Sequence, residues 1–189
     1  IYIKNFQLKD RERLISKIRE VAKANVETLA KMTREETNIG RYEDKVLKNL
    51  LVIEKTPGTE CLETKAVSGD DGLTIIEQAP FGLIGAITPV TNPTETIINN
   101  VISMIAGGNT VVFNVHPSAK KSCAFCLQMI NKAIEEAGGP SNLATMVKEP
   151  TMDTVKALCE SEKVRLLVGT GGTQMVKALL KSGKKVIGA

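Results

Sequence analysis

The chain has 189 residues, of which 42% are hydrophobic and 24% charged, with 15 Gly, 7 Pro, 4 Cys and no Trp. This composition is typical of a globular protein and excludes collagenous, disordered and disulfide-built chains. The net charge of +4 arises entirely after residue 79, because positions 1–79 hold 14 basic and 14 acidic residues. So small an excess, with no polybasic cluster and only 3% aromatic residues, does not favour nucleic-acid binding.

The cysteines and the apolar stretches bear on location. The four cysteines, at positions 61, 123, 126 and 159, are too dispersed for a disulfide framework, and no signal peptide opens the sequence, so a cytoplasmic location is expected. The weakly charged stretch 81–119 is interrupted by Pro and Gly before it reaches the roughly 20 apolar residues of a membrane span. Since the chain starts without Met and stops inside a predicted strand, we expect it to be part of a longer protein.

Three patterns precede residue 80. Residues 10–32 repeat apolar side chains at helical spacing and predict one amphipathic helix. A second helix is predicted over 42–54, because Pro57-Gly58 ends its pattern. Residues 63–79 alternate around a turn rich in Gly and Asp, which predicts a hairpin or an extended arm. We therefore expect residues 1–79 to form a unit of helices followed by an arm.

After residue 80, short apolar runs alternate with helical patterns. Strands are predicted at 83–88, 110–115, 144–147, 164–168 and 185–187, and helices at 93–106, 118–137, 152–159 and 173–180. This alternation predicts an α/β fold with a parallel sheet and flanking helices. Ligands of such sheets bind beyond the carboxyl ends of the strands, so function is expected at 88–92, 114–118, 149–151 and 169–173.

Two of these loops contain candidate ligand-binding features, each with a structural alternative. Asn92 precedes Pro93 and Glu95, a pattern that fits either a capping box or a helix end open to a ligand. The sequence GTGGT at 169–173 lies between a strand and a helix, and fits either a tight turn or a backbone site for phosphate. It is neither the GxGxxG fingerprint nor a Walker loop.

The only histidine and a cysteine pair are further candidates. His116 follows a predicted strand and precedes Ser118, which could cap the next helix, so a ligand-facing role and a plain loop role fit equally. Cys123 and Cys126 match CxxC but lie in an amphipathic helix, where packing as small apolar side chains is favoured over a redox pair. No second CxxC is present to complete a zinc site.

Six short motifs follow one another between residues 80 and 189. They are PFGLIGAITPVTNPTE at 80–95, GNTVVF at 108–113, HPSA at 116–119, EAGGP at 136–140, TGG at 170–172 and SGKKVIGA at 182–189. Together they closely resemble the start of the cofactor domain of aldehyde dehydrogenases, in the version of the CoA-acylating branch that serves bacterial propanediol and ethanolamine utilisation. The resemblance implies an incomplete, Rossmann-like NAD-binding domain at 80–189, preceded by N-terminal helices and an extended arm.

The resemblance also implies where NAD binds. It assigns to the nicotinamide side Ile87, Thr88, Pro89 and Val90. It assigns to the pyrophosphate Thr170, Gly171, Gly172 and Thr173. It assigns to the adenosine side His116, Pro117, Ser118, Gly139 and Pro140.

Three departures from the water-using aldehyde dehydrogenases bear on the reaction. His116 stands where those enzymes usually have Lys. Val90-Thr91-Asn92 replaces their Trp-Asn-Phe, so either Asn92 or Thr91 is expected to bind the oxyanion. Ala189 aligns with their general-base glutamate, and loss of that base fits attack on the acyl-enzyme by CoA, because a thiol ionises more readily than water.

The implied reaction is oxidation of a short-chain aldehyde by NAD, with CoA as co-substrate, to acyl-CoA and NADH through a cysteine thioester. The catalytic cysteine is expected beyond Ala189, so these 189 residues alone should be inactive. The arm corresponds to an oligomerisation element, which implies a homo-oligomer (dimer or tetramer), in the cytoplasm or within a bacterial microcompartment. A hydrolytic NAD(P)-dependent aldehyde dehydrogenase and a non-catalytic nucleotide-binding module are the alternatives.

Overall fold

The computed structural model describes residues 2–189, apart from the side chains of residues 3 and 4. Its helices are α1 (Tyr2–Asn5), α2 (Leu8–Ala24), α3 (Val26–Thr37), α4 (Tyr42–Lys55), α5 (Pro93–Ala106), α6 (Lys120–Glu136), α7 (Met152–Glu160) and α8 (Thr173–Leu180). Its strands are β1 (Lys65–Gly69), β2 (Gly72–Ile76), β3 (Leu83–Ile87), β4 (Thr110–Asn114), β5 (Ala144–Met146), β6 (Val164–Gly169) and β7 (Lys185–Gly188). Short 3-10 turns occupy Thr59–Leu62 and Pro117–Ala119.

The five strands after residue 80 form one parallel sheet in the order β5-β4-β3-β6-β7. The predicted α/β fold is therefore confirmed. The first of these strands, β3, lies in the middle, and Ile87 at its end is in register with Asn114 of β4 and Gly169 of β6. The loops that follow three adjacent strands consequently meet at one edge, where the direction of strand progression reverses.

The sheet is covered on both faces. Residues of β3 and β4 such as Ala86 and Phe113 pack with α5 and α6 in one cluster, whereas Ile87 and Leu167 pack with α7 and α8 in another. Helix α5 is apolar around most of its circumference and is buried over most of its length. A helix of that composition is stable only when it is enclosed, and the N-terminal helices enclose it from the side opposite the sheet.

The single helix predicted over 10–32 is wrong, because two helices, α2 and α3, occupy this region and meet at Asn25. The Asn25 backbone leaves the helical region (φ −111°, ψ 11°), and its side-chain Nδ2 donates to the carbonyl of Val21 at 2.8 Å. Asn side chains compete with the helical hydrogen bonds in this way, which apolar spacing alone does not reveal. The second predicted helix is confirmed as α4.

The predicted hairpin is confirmed as β1 and β2, which pair antiparallel around a turn at Asp70-Asp71. All of its residues are exposed, including Val67, Leu73 and Ile75. The helices before it, by contrast, share one core with the sheet, since Leu14 and Ile18 belong to the same buried cluster as α5 and α6. The boundary at residue 80 remains a prediction.

No helix within residues 2–189 has both the length and the apolar character that crossing a bilayer requires.

Candidate functional site

A cavity of about 630 Å³ opens at the carboxyl edge of the sheet. Its walls come from the loops after β3, β4, β5 and β6, which are the four loops that the strand-end rule selects. The lining comprises Ile87, Thr88, Pro89, Val90, Thr91, Asn92, Asn114, Val115, His116, Pro117, Pro150, Thr151, Met152, Val155, Thr170, Gly171, Gly172, Met175 and Ala189. The cavity therefore collects eleven of the fifteen site residues expected from the sequence.

Four expected residues, Ser118, Thr173, Gly139 and Pro140, do not line the cavity. Gly139 and Pro140 follow the C-terminal end of α6, whose 17 residues extend for about 25 Å from the end nearest the cavity. Packing accounts for the glycine, because a Cβ on Gly139 would lie 2.6 Å from Ile134 and 2.8 Å from Leu14. The structure does not bring this pair to the site.

Several residues that line the cavity were not predicted one by one from the sequence. Asn114 at the end of β4, and Pro150 and Thr151 after β5, lie in regions selected by the strand-end rule but were not singled out. Met152 and Val155 of α7 and Met175 of α8 contribute apolar walls to the cavity. Only the tertiary packing of two helices separated in sequence brings these three side chains together.

The glycines of the loop GTGGT at 169–173 differ in the space around them. A Cβ on Gly169 would collide with the side chain of Leu179, so this glycine is required by packing. A Cβ on Gly171 would have only Met175 nearby, at 3.9 Å, and one on Gly172 would meet nothing within 4 Å. Packing within the protein therefore does not explain why positions 171 and 172 are glycine. Both leave backbone without a side chain at the cavity.

This bare backbone leads directly into the N-terminus of α8. Within the described residues, the N–H groups of Gly172, Thr173 and Gln174 have no hydrogen-bond acceptor. The N–H groups of Thr170 and Gly171 are used internally, since they donate to the carbonyls of Ile87 and Ala189 at 3.0 Å. Free amides and the positive end of a helix dipole suit an anionic group, so this loop fits the pyrophosphate of a dinucleotide.

The end of α5 nearest the cavity is not a capping box, so the cap hydrogen bonds that the pattern around Asn92 suggested are absent. Asn92 has a non-helical backbone (φ −136°, ψ 62°), and its side chain makes no cap hydrogen bond. Its Oδ1 instead accepts from Lys48 Nζ at 3.2 Å, because α4 lies beside the loop. In the described structure the Asn92 Nδ2 donor then has no partner, and Asn92 lines the cavity.

A buried acid and a buried base lie just behind this loop. Lys45 is 2% exposed and donates from Nζ to the carbonyl of Thr91 at 3.1 Å. Glu95 is 4% exposed and accepts from Thr94 Oγ1, while its Oε1 has no partner. Burial raises the pKa of Glu95 and lowers the pKa of Lys45, and the attraction between the two charges opposes both shifts.

His116 stabilises the turn that follows β4. Its Nδ1 accepts from the backbone N–H of Ser118 at 3.2 Å. The predicted capping of α6 by Ser118 is wrong, because the 3-10 turn shifts the helix start to Lys120. The carboxylate of Glu36 on α3 instead accepts from the N–H groups of Lys121 and Ser122, each at 2.7 Å.

In the described part of the chain, no cysteine lines the cavity. Cys123 and Cys126 are buried on the core face of α6, and burial raises the pKa of both thiols. Reactive cysteines are accessible thiolates, so this pair packs as apolar side chains. Cys61 is exposed and Cys159 half-buried, both away from the cavity.

A sequence profile described as the aldehyde dehydrogenase family matches residues 2–188. The chain belongs to the aldehyde dehydrogenase family. It is 51% identical over 166 residues to an acetaldehyde dehydrogenase (acetylating) of Bilophila wadsworthia, covering 88% of this chain and 34% of that protein. It is 44% identical over 182 residues to a propanal dehydrogenase (CoA-propanoylating) of Citrobacter freundii, covering 96% of this chain and 40% of that protein.

Solved structures of the family agree with the fold. A propionaldehyde dehydrogenase from the fucose utilisation microcompartment of Clostridium phytofermentans matches with a TM-score of 0.95 and 52% identity, over 99% of this chain and 43% of the other. A propionaldehyde dehydrogenase of Rhodopseudomonas palustris with bound propionyl-CoA matches with the same TM-score and 47% identity, over 99% and 42%. The resemblance to the acylating branch is confirmed, and this chain spans between a third and just over two-fifths of these relatives.

Proposed function

We propose that this chain is the cofactor-binding part of an oxidoreductase that converts a short-chain aldehyde, NAD and CoA into acyl-CoA, NADH and a proton. The main support for the proposal is the open space around Gly171 and Gly172, which lie in the strand-end cavity at the start of α8. Membership of the aldehyde dehydrogenase family and the acylating relatives support the same reaction.

The cavity offers each part of NAD a matching environment. The free amides of Gly172, Thr173 and Gln174 would hold the pyrophosphate, and the end of β3, from Ile87 to Val90, would lie beside the nicotinamide. His116 and Pro117 would lie toward the adenosine, with Ser118 behind them. Pro150, and not Gly139 or Pro140, would supply the remaining wall, since it lines the cavity. Bound NAD supplies the hydride acceptor.

Asn92 is the better candidate for the oxyanion-binding group. Its Nδ2 is an unused donor held in a fixed place, because its Oδ1 is engaged by Lys48. Such a donor stabilises the negative charge that develops on the aldehyde oxygen when a thiolate adds to the carbonyl carbon. Thr91 is exposed, and its carbonyl is bonded to Lys45, so we assign it a supporting role.

The nucleophile and the acyl acceptor come from outside these residues. We propose that a cysteine elsewhere in the longer enzyme adds to the aldehyde, because no cysteine of the described residues reaches the cavity. No Asp or Glu of the described residues lines the cavity either. A site without a carboxylate base for water suits CoA as the acyl acceptor, since its thiol ionises readily.

The exposed hairpin supports an oligomer. Val67, Leu73 and Ile75 are each at least 60% exposed, and an exposed apolar ribbon is a template for association. We propose that it pairs with a second copy in a dimer or tetramer. A location within a microcompartment is proposed from the relative of that origin.

Isothermal titration calorimetry with NAD tests the cofactor proposal on the 189-residue chain itself. We expect saturable binding with one site per chain. Absence of heat, together with no rise in melting temperature at millimolar NAD, would contradict the assignment, because a ligand that binds only the folded state must stabilise it.

A further inference from the structure

Helix α4 touches the proposed oxyanion loop through two lysines. Lys45 donates to the main-chain carbonyl of Thr91, and Lys48, nearly one turn later, donates to the side-chain oxygen of Asn92. Residues three apart on a helix lie on the same face, so one face of α4 contacts two successive residues of the loop. Neither lysine lines the cavity.

Lys45 is an unusual residue for this position. Lys side chains are seldom fully buried, because moving an ammonium group out of water is costly unless a counter-charge and acceptors compensate. The acceptor is a single carbonyl, that of Thr91, and the nearby carboxyl group is that of Glu95. An apolar side chain would fill the same space without this cost, and the one hydrogen bond that the ammonium group makes among the described residues is to the loop.

Glu95, the carboxyl group near Lys45, belongs to the helix behind the loop. It occupies the first turn of α5, and its Oε2 accepts from Thr94 Oγ1 at 3.2 Å. Thr94 in turn lies 3.4 Å, oxygen to oxygen, from Thr33 of α3. Buried polar side chains of α3 and α5 therefore contact one another close to Lys45.

We infer that Lys45 and Lys48 are positioning residues for the oxyanion site, Lys45 by fixing the Thr91 carbonyl and Lys48 by orienting the Asn92 amide so that its Nδ2 remains free. The inference rests on the proposed function of Asn92. Fixed donors stabilise a transition state because they need no reorganisation as charge develops, so loosening the loop lowers turnover without weakening cofactor binding.

The test uses the full-length enzyme encoded by the extended reading frame, with the variants Lys45→Met, Lys48→Met and Lys48→Arg. Lys55→Met is the matched control, because Lys55 lies on the same helix and is exposed. For each protein we would measure kcat with aldehyde and CoA, the Kd for NAD, and hydrogen exchange of the peptide covering 88–95. Lys48 is itself exposed, so its variants remain informative if Lys45→Met fails to fold.

We expect Lys45→Met to lower kcat by about tenfold or more, a fraction of the loss seen when an oxyanion donor is removed outright. Lys48→Met should lower kcat less, and Lys48→Arg should restore it, because guanidinium also donates to an amide oxygen. NAD affinity should remain unchanged, and exchange over 88–95 should accelerate relative to Lys55→Met.

Wild-type turnover in both Met variants, or a loss of NAD affinity in parallel with kcat, would overturn the inference. If the wild-type enzyme forms no NADH, the proposed function fails instead, and the exchange comparison alone decides whether the lysines hold the loop.

Discussion

Glu36 caps a helix from another part of the chain: its Oε2 lies 2.7 Å from the backbone nitrogen of Ser122, and its Oε1 lies at the same distance from that of Lys121. The helix capped in this way, α6, begins directly after the turn of His116, which lines the cavity. A carboxylate at a helix N-terminus satisfies free N–H groups and interacts favourably with the helix dipole. A side chain of α3 thus holds the start of the helix that follows one wall of the cavity.

Replacement of Glu36 by Ala should destabilise the protein by about 1–2 kcal/mol, the usual cost of losing a helix cap, with charge assistance at the upper end. Urea unfolding of the 189-residue chain measures the change. Glu35→Ala is the control, because Glu35 is the adjacent residue on α3 and its carboxylate is exposed. Equal stability of the two variants would mean that the cap contributes nothing.

The two kinds of glycine in the loop after β6 should respond oppositely to Ala. Gly169→Ala should destabilise the fold by about 1–3 kcal/mol, since the added methyl group collides with Leu179 in a packed core. Gly172→Ala should leave stability unchanged, because its backbone conformation (φ −63°, ψ 154°) suits any residue and the space is open.

Gly172→Ala should, however, weaken NAD binding by about tenfold, which corresponds to about 1.4 kcal/mol, because the methyl group occupies space proposed for the pyrophosphate. Calorimetric titration provides the affinity. Wild-type affinity in this variant would remove the glycine loop from the cofactor site.

Because the pKa of Glu95 is raised, the free energy of unfolding should depend on pH through this group. The unfolded carboxyl ionises near 4.5, whereas burial keeps the folded one protonated to higher pH. The contribution of Glu95 to stability is therefore lost as pH rises from about 4.5 through its folded pKa.

Glu95→Gln removes this titration, so its melting temperature should rise relative to the wild type between pH 4 and pH 7. Carboxylates with lowered pKa values, such as Glu54 and Glu149, change stability in the opposite direction but are present in both proteins. A melting-temperature difference that is constant with pH would contradict the prediction, and a difference of opposite sign would mean that Glu95 is stabilised as a carboxylate.

The proposed oxyanion roles predict different outcomes for neighbouring residues. In the full-length enzyme, Asn92→Ala should lower kcat by about 10²–10³-fold with little change in NAD affinity, as is typical for loss of one oxyanion donor. Thr91→Ala keeps the carbonyl that Lys45 binds, so its kcat should stay close to that of the wild type. A larger loss in Thr91→Ala than in Asn92→Ala would reverse the assignment.

The parts of this molecule that depend on local periodicity could be predicted from sequence. The apolar runs around Ile84 and Leu167 indicate buried strands, and the strand-end rule then selects the four loops of the cavity. That rule also selected the loop of Pro150, whereas the resemblance pointed to Gly139 and Pro140. Of these residues only Pro150 lines the cavity.

Features that depend on contacts between distant segments could not be predicted. The sequence around Asn92 has the pattern of a capping box, yet its Oδ1 is bonded to Lys48, 44 residues earlier. The cap of α6 comes from Glu36 and not from the adjacent Ser118. In both cases a charged side chain from a packed helix replaces the local partner. The local sequence does not indicate which helix packs there.

The proposed acylating reaction is tested by NADH formation from propionaldehyde with the full-length enzyme encoded by the extended reading frame, assayed with and without CoA. We predict NADH formation that depends strictly on CoA, and none from the 189-residue chain alone. NADH formed equally well without CoA would show that water accepts the acyl group, and would contradict the acylating reaction proposed for this cavity.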